Sequence, residues 1–175
     1  MVVARLTAQK RVELALGAAG VLARQGKPVS LTIIGDGPER PALERMAALL
    51  PAPATVHFTG MLPPQEVTRK LAAADVLLFP AREEGLGLAA VEALMAGVPV
   101  VACEDGGGVV SALRKHGGGV ISAPTPAALA AALGEAHASL RRDAAREAGV
   151  RWREELEPGR VAERFEAWYR EALRA

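Results

Sequence analysis

The stretch from Asp75 to Cys103, DVLLFPAREEGLGLAAVEALMAGVPVVAC, limits the folds open to this chain more than any other. Val76 to Phe79 is a short apolar run closed by Pro80, the pattern of a buried strand. A charged loop follows, Ala81 to Glu84, then Gly85-Leu86-Gly87 and a segment, Leu88 to Ala96, that is apolar apart from Glu92. Gly97 and Pro99 end that helix, and Val100 to Cys103 supplies a second strand. Strand, loop, glycine-flanked helix start and strand again make one βαβ unit of the kind that holds a ligand.

A helix apolar nearly all round is expected to be buried. Glu92 therefore stands out among Ala89, Ala90, Val91, Ala93, Leu94 and Met95. An unpaired carboxylate in such a place would cost on the order of several kcal/mol. Either Glu92 lies at the helix edge and pairs with a nearby arginine, or it faces a polar ligand held over the end of the sheet. The glycine-rich helix start just before it favours the ligand.

The rest of the chain repeats the alternation. Met1 to Ala4 reads as a short strand, followed by the loop Arg5-Leu6-Thr7-Ala8-Gln9-Lys10. The next helix carries Leu14, Ala18, Val21 and Leu22 on one face, with Gly26 placed to cap it. Val29 to Ile34 is a buried strand ending in Gly35-Asp36-Gly37-Pro38. A helix with Pro41 in its first turn and Leu43, Met46, Ala47 and Leu50 as its stripe leads to a third strand, Thr55 to Thr59. Val67, Leu71 and Ala74 mark the helix before Asp75. Beyond Cys103, a glycine run precedes a helix over Val109 to His116 and a last strand over Gly119 to Ile121. Ala127 to Ala148 is one or two alanine-rich helices, Trp152 to Pro158 a break, and Gly159 to Ala175 a final amphipathic helix. Six parallel strands with helices between them predict an α/β fold, a doubly wound, Rossmann-like sheet, in one domain over 1–175.

Composition narrows the function classes. With 21 basic and 20 acidic residues the net charge is +1, which gives no electrostatic case for nucleic acid or anionic lipid. Cys103 is the only cysteine, so no disulfide framework exists and a reduced, cytoplasmic setting is expected. Aromatics are 3% of the chain, and alanine-heavy helices should pack through small residues. His57, His116 and His137 lack metal-ligand spacing and read as ordinary surface or core histidines; no Asp-x-Asp pair and no GxxxxGK[ST] loop are present. Gly35-Asp36-Gly37-Pro38-Glu39-Arg40 imitates a dinucleotide fingerprint, but Arg40 replaces the third glycine and the motif follows the second strand. The Glu84 to Glu92 spacing would arise about twice by chance among so many acidic residues, so its context carries the weight.

In that context the residues resemble a family. GLGLAAVEALMAGVPVV after PAREE is similar to the donor-site signature of retaining nucleotide-sugar glycosyltransferases of family 4 (group 1), which have the GT-B fold. VARLTAQK resembles the ending of that family's first strand, LTIIGDGPERPALE its second-strand segment, and VHFTGMLPPQEV its third. WREELEPGRVAERFEAWYREAL resembles the closing helix. Two departures stand out: Ala4 replaces a glycine, and Val110 stands where many members carry a glutamate, so no contact is carried over for that loop.

The resemblance implies the C-terminal, donor-binding half of a two-domain enzyme, hence a fragment or one subunit of a split enzyme. It implies catalytic roles for Arg5, Lys10 and Glu84, and donor contacts from Gly35, Met61, Gly85, Leu86, Gly87, Leu88 and Glu92. Arg5, Lys10 and the helix start at Gly87 would hold the diphosphate without a metal, Glu92 the ribose and Glu84 the sugar hydroxyls. Backbone near Met61 would meet the base, and Gly35 would lie near the nucleotide. The plain alternative for Arg5 and Lys10 is a solvated loop pair. The expected ligand is a UDP- or GDP-type sugar, with no cofactor. The expected partner is an N-terminal acceptor-binding domain, and the full enzyme could attach peripherally to a membrane. The final helix (157–175) carries a stripe of Val161, Phe165, Trp168 and Ala172, widened by Tyr169 and Leu173. It is expected to cross to that absent domain, to fold back, or to mediate self-association. Two other classes stay open: a standalone nucleotide-binding module, and a GT-B epimerase or phosphorylase, the latter lacking here any segment like a pyridoxal-phosphate lysine site.

Overall fold

The computed structural model describes residues 1–137 and 139–172. Strand and helix alternate as β1 (Val2–Val3), α1 (Val12–Arg24), β2 (Val29–Ile34), α2 (Arg40–Ala48), β3 (Ala54–Gly60), α3 (Pro64–Ala72), β4 (Leu77–Phe79), α4 (Leu88–Met95), β5 (Val100–Cys103), α5 (Gly108–His116) and β6 (Gly119–Ser122). Three helices close the chain: α6 (Pro126–Ala136), α7 (Ser139–Glu155) and α8 (Pro158–Ala172).

All strand pairs are parallel, in two ladders ordered β1-β2-β3 and β4-β5-β6. The ladders meet at Met1, whose amine donates to the Val76 carbonyl at 2.9 Å and whose carbonyl accepts from the Leu78 amide at 2.8 Å. Across that seam the order runs β3-β2-β1-β4-β5-β6, the doubly wound arrangement, and it reverses between β1 and β4.

The pleat sorts the side chains into two cores. Leu78, Val101 and Cys103 point to the layer built with α1 and α6, where Leu16, Ala19 and Leu129 are buried. Leu77, Phe79, Val100 and Ala102 point to the other, against α4, α5 and α7, with Val91, Leu94, Leu113 and Ala148. Because both faces are covered, β4 and β5 are buried at every position, which is why they read as continuous apolar runs rather than alternating ones. Alanine at the contact positions of α1, α6 and α7 lets these helices approach closely.

Most predicted elements stand within a residue or two of their expected limits, and Gly26 closes α1 as expected, its amide donating to Ala23 and that of Lys27 to Leu22. Three details differ. The buried stripe of α1 is broader than expected, including Val12, Ala15, Leu16 and Ala23, with Leu14 and Val21 half-buried. In α2, Leu43 is buried but Met46 is exposed. The expected break at Trp152 to Pro158 shrinks to Leu156 and Glu157, because Trp152 lies in α7 with its ring 5% exposed and tilted against His116. His57 and His137 are at the surface and His116 is in the core. In α8, Val161 is half-buried and Phe165 59% exposed. Leu173 and the side chains of Trp168, Tyr169 and Ala172 lie outside the described residues.

Candidate functional site

The carboxyl ends of the strands carry the chemistry-bearing loops, and three of these loops are tied together. Arg11, in left-handed conformation at φ 47°, starts α1 and turns its side chain back across the edge. Its Nε donates to the Pro80 carbonyl at 2.8 Å, and its two terminal nitrogens grip the Asp105 carboxylate at 2.8 and 2.6 Å. This forked, charge-assisted pair joins the loops after β1, β4 and β5. The hydrogen bond from Arg11 holds the Asp105 carboxyl below the usual range. Beneath it, burial pushes the Cys103 thiol up to about 11, so that sulfur is a neutral core group.

The loop between Arg82 and Gly87 is held on both sides. The Arg82 amide donates to Gln9, whose side-chain amide returns a hydrogen bond to the Arg82 carbonyl at 3.2 Å. The Glu83 amide donates to the Asp105 carbonyl at 2.9 Å and the Gly108 amide to that of Glu84 at 2.7 Å. Gly107 and Gly108 run so close that a Cβ would lie 2.3 Å from the Glu84 oxygen at the first and 1.5 Å from the Gly85 oxygen at the second. The glycine run after Cys103 is thus a packing requirement of the neighbouring loop.

On this frame Lys10 and Glu84 meet: the Lys10 ammonium is hydrogen-bonded to the Glu84 carboxylate, with the two side chains 20% and 17% exposed. Arg5, in the same loop as Lys10, is exposed and has no ion-pair partner among the described residues. Gly87, at φ 70°, caps α4, and the first amides of that helix have no intrahelical acceptor. They supply the positive end of a helix dipole at the sheet edge, beside the exposed Leu86 and Leu88.

Glu92 corrects one expectation. It is exposed, so α4 is not buried all round and no carboxylate is trapped in its core. Leu88, Glu92 and Ala96, four residues apart, form the outward stripe, while Ala90, Val91, Ala93 and Leu94 face inward. Nor does Glu92 pair with an arginine among the described residues. It stands one turn from Leu88 on the face that carries the open helix start.

Gly35 and Met61 sit on the same edge, at the ends of β2 and β3. The Gly35 amide donates to the Gly60 carbonyl at 2.9 Å, and a Cβ on Gly35 would stand 1.9 Å from the Ala4 oxygen. That approach alone requires glycine. Met61 is 76% exposed. Val110, where a family glutamate is common, is buried in the α4–α5 core. Sequence reasoning missed Gln9, Arg11 and Asp105; the only signal was opposite charge on two predicted loops, Arg11 after the first strand and Asp105 after the fifth. Among the described residues no group of three or more His, Cys, Asp or Glu could hold a metal, and no helix is long and apolar enough to cross a membrane. A cavity of about 730 Å³ lies at the opposite, amino-terminal edge, lined by Met1, Leu22, Val29, Asp75, Val76 and His137 among others, and none of the braced loops reaches it.

The 2-deoxystreptamine glucosyltransferase of Streptomyces kanamyceticus is 39% identical over 105 residues, which is 60% of this chain and 27% of that protein. A GDP-mannose-dependent alpha-(1-6)-phosphatidylinositol monomannoside mannosyltransferase of Mycolicibacterium smegmatis is 35% identical over 148 residues, covering 81% of this chain and 39% of that protein. The chain therefore spans between about a quarter and two fifths of the length of these curated relatives. Among solved structures, an Anabaena protein crystallised with UDP and glucose superposes with a TM-score of 0.77 at 22% identity, covering 95% of this chain and 48% of that one. The C-terminal domain of a glycosyl transferase group 1 family protein from Francisella tularensis superposes at 0.72 and 20% identity, covering 85% of this chain and 80% of that one. These superpositions establish the Rossmann-like half of a GT-B fold. The family model for glycosyl transferases group 1 matches residues 1–149, the whole sheet and all its helices up to part of α7, and the chain belongs to that family.

Proposed function

We propose that this chain is the donor-binding half of a retaining, metal-independent glycosyltransferase, acting in the cytoplasm on a UDP- or GDP-sugar. The observation that carries the reading is that the loop after β1, with Arg5 and Lys10, and the loop from β4 into the open start of α4 lie side by side where the strand order reverses, joined by the Lys10–Glu84 pair. Anions bind where helix amides and cations meet, and open α/β sheets hold ligands at this kind of reversal. The diphosphate lies across Lys10 and the amides at Gly87 and Leu88, with Arg5 free to close on it. Glu92, exposed on the outward stripe of α4, takes the ribose hydroxyls. Backbone at Met61 meets the base, with Gly35 beneath the nucleotide, and Glu84 with the Gly85-Leu86 turn faces the sugar. As the glycosidic bond breaks, negative charge grows on the leaving diphosphate, and these cations and amides stabilise that state more than the ground state.

The acceptor belongs to an N-terminal domain, so the isolated chain binds donor and does not transfer sugar. Exposed Phe165 on α8 fits a helix that contacts such a domain or a second copy. Calorimetric titration with UDP, GDP, UDP-glucose and GDP-mannose, with and without magnesium, tests the reading. At a hundredfold excess over the dissociation constant, bound ligand should add about 2.7 kcal/mol of stability without any metal. An absolute magnesium requirement, or turnover onto an acceptor by this chain alone, would refute it.

A further inference from the structure

The Lys10–Glu84 pair has a consequence for which ligand the site prefers. Both backbones are fixed: Lys10 ends a 3-10 turn in which its amide donates to the Thr7 carbonyl at 2.9 Å, and Glu84 lies in the brace against Gly107 and Gly108. Only the two side-chain tips are free to change partners. An ammonium only donates and an ionised carboxylate only accepts, so the two tips satisfy one another.

A diphosphate entering this edge competes with Glu84 for Lys10. Once Lys10 turns to the phosphate, Glu84 is left beside an anion without its donor, an arrangement opposed by like-charge repulsion. A sugar on the diphosphate relieves it, because sugar hydroxyls donate hydrogen bonds to the carboxylate. A bare nucleoside diphosphate brings no such donor, and its terminal phosphate adds negative charge nearby. Resting on the reading of the site given above, we propose that Lys10 and Glu84 exchange partners on binding, and that this exchange makes the site favour a sugar-bearing donor over the spent nucleoside diphosphate. Glu84 is then a specificity-determining residue that also weakens the hold on product.

The test is calorimetric titration of the chain and its variants with UDP and GDP, beside UDP-glucose and GDP-mannose. Glu84→Gln, which keeps the size of the side chain, should bind the preferred bare diphosphate about three- to tenfold tighter. Glu84→Ala should shift it in the same direction. In a Lys10→Gln background the gain from Glu84→Gln should vanish, as coupled neighbours require. If the parent chain binds nucleotides but Glu84→Gln and Glu84→Ala bind bare diphosphate no tighter, the exchange is refuted and the site stands. If the tightening persists without Lys10, it is a general charge effect and the exchange is equally refuted. Should the parent bind none of the four ligands, the site reading itself falls and takes this inference with it.

Discussion

The two edges of the sheet are built from opposite ends of the same strands, yet they are made differently. The amino edge holds a cavity of about 730 Å³, walled by apolar side chains such as Ala15, Leu22, Val29 and Leu133 together with Lys27, Arg69, Lys70 and Asp75. At the carboxyl edge the loops are braced by Arg11, Gln9 and the amides of Glu83 and Gly108, and two ion pairs, Lys10–Glu84 and Arg11–Asp105, run between loops. A cavity forms wherever helices stop short of a sheet and needs no polar restraint. A catalytic surface needs polar groups held in place, and that shows as hydrogen bonds between loops distant in sequence. Fixed polarity, more than volume, separates the two edges.

The sharpest way to break this contrast is Gly108→Ala. A methyl 1.5 Å from the Gly85 oxygen forces the braced loops apart. We expect a loss of about 3 kcal/mol, read as a fall of roughly 6–12 °C in melting temperature, and loss of nucleotide binding. A variant that melts like the parent would show the brace to be loose. Next in size is Arg11→Ala, which strips Pro80 and Asp105 of their donor; a cost of about 1–3 kcal/mol is expected, with weaker UDP or GDP binding in titration. The pH dependence has a defined sign. Asp105 has a depressed folded pKa, so its contribution is present above the ordinary aspartate value of about 3.9 and is lost as pH falls through the lower folded value. Stability curves of the parent and of Asp105→Asn should therefore converge in acid; a constant gap down to pH 2 would deny the pair its role. Smallest is Gly134→Leu at the amino edge. No atom lies within 4 Å of an added Cβ there, so a gain of up to about 1 kcal/mol from helix propensity is expected, with nucleotide affinity unchanged. Lost affinity would move the ligand seat to that cavity.

How legible these features are in the sequence follows from the range of the forces that make them. β4 and β5 announce themselves because strands covered on both faces must be apolar throughout, and Pro80 and Pro99 stand beside them. Alternation and right-handed crossovers predict a doubly wound sheet, though not the strand at which its order reverses. The orientation of α4 is not legible either, since alanine on three sides hides which side is wet, and the helix reads as buried all round for that reason. Trp152 looked like part of a break because charged residues surround it, yet it fills a gap between α5 and α7 that only the fold creates. Arg11 and Asp105 are 94 residues apart, and Lys10 and Glu84 are 74 apart. No local pattern reports that they meet.

The seam at Met1 bears on how such a domain comes together. β1 contributes only two strand residues, and the junction between ladders rests on a few backbone hydrogen bonds made across 75 residues of chain. Each ladder pairs strands of nearer sequence neighbours, whereas the seam must close the longer loop, which is entropically slower. The seam is then among the later contacts to form, and the core shared by both ladders under α1 and α6 is what secures it. A nucleotide lying over β1 and β4 would be held only by the closed arrangement, and would act as a clasp on the side of the seam that the shared core does not cover.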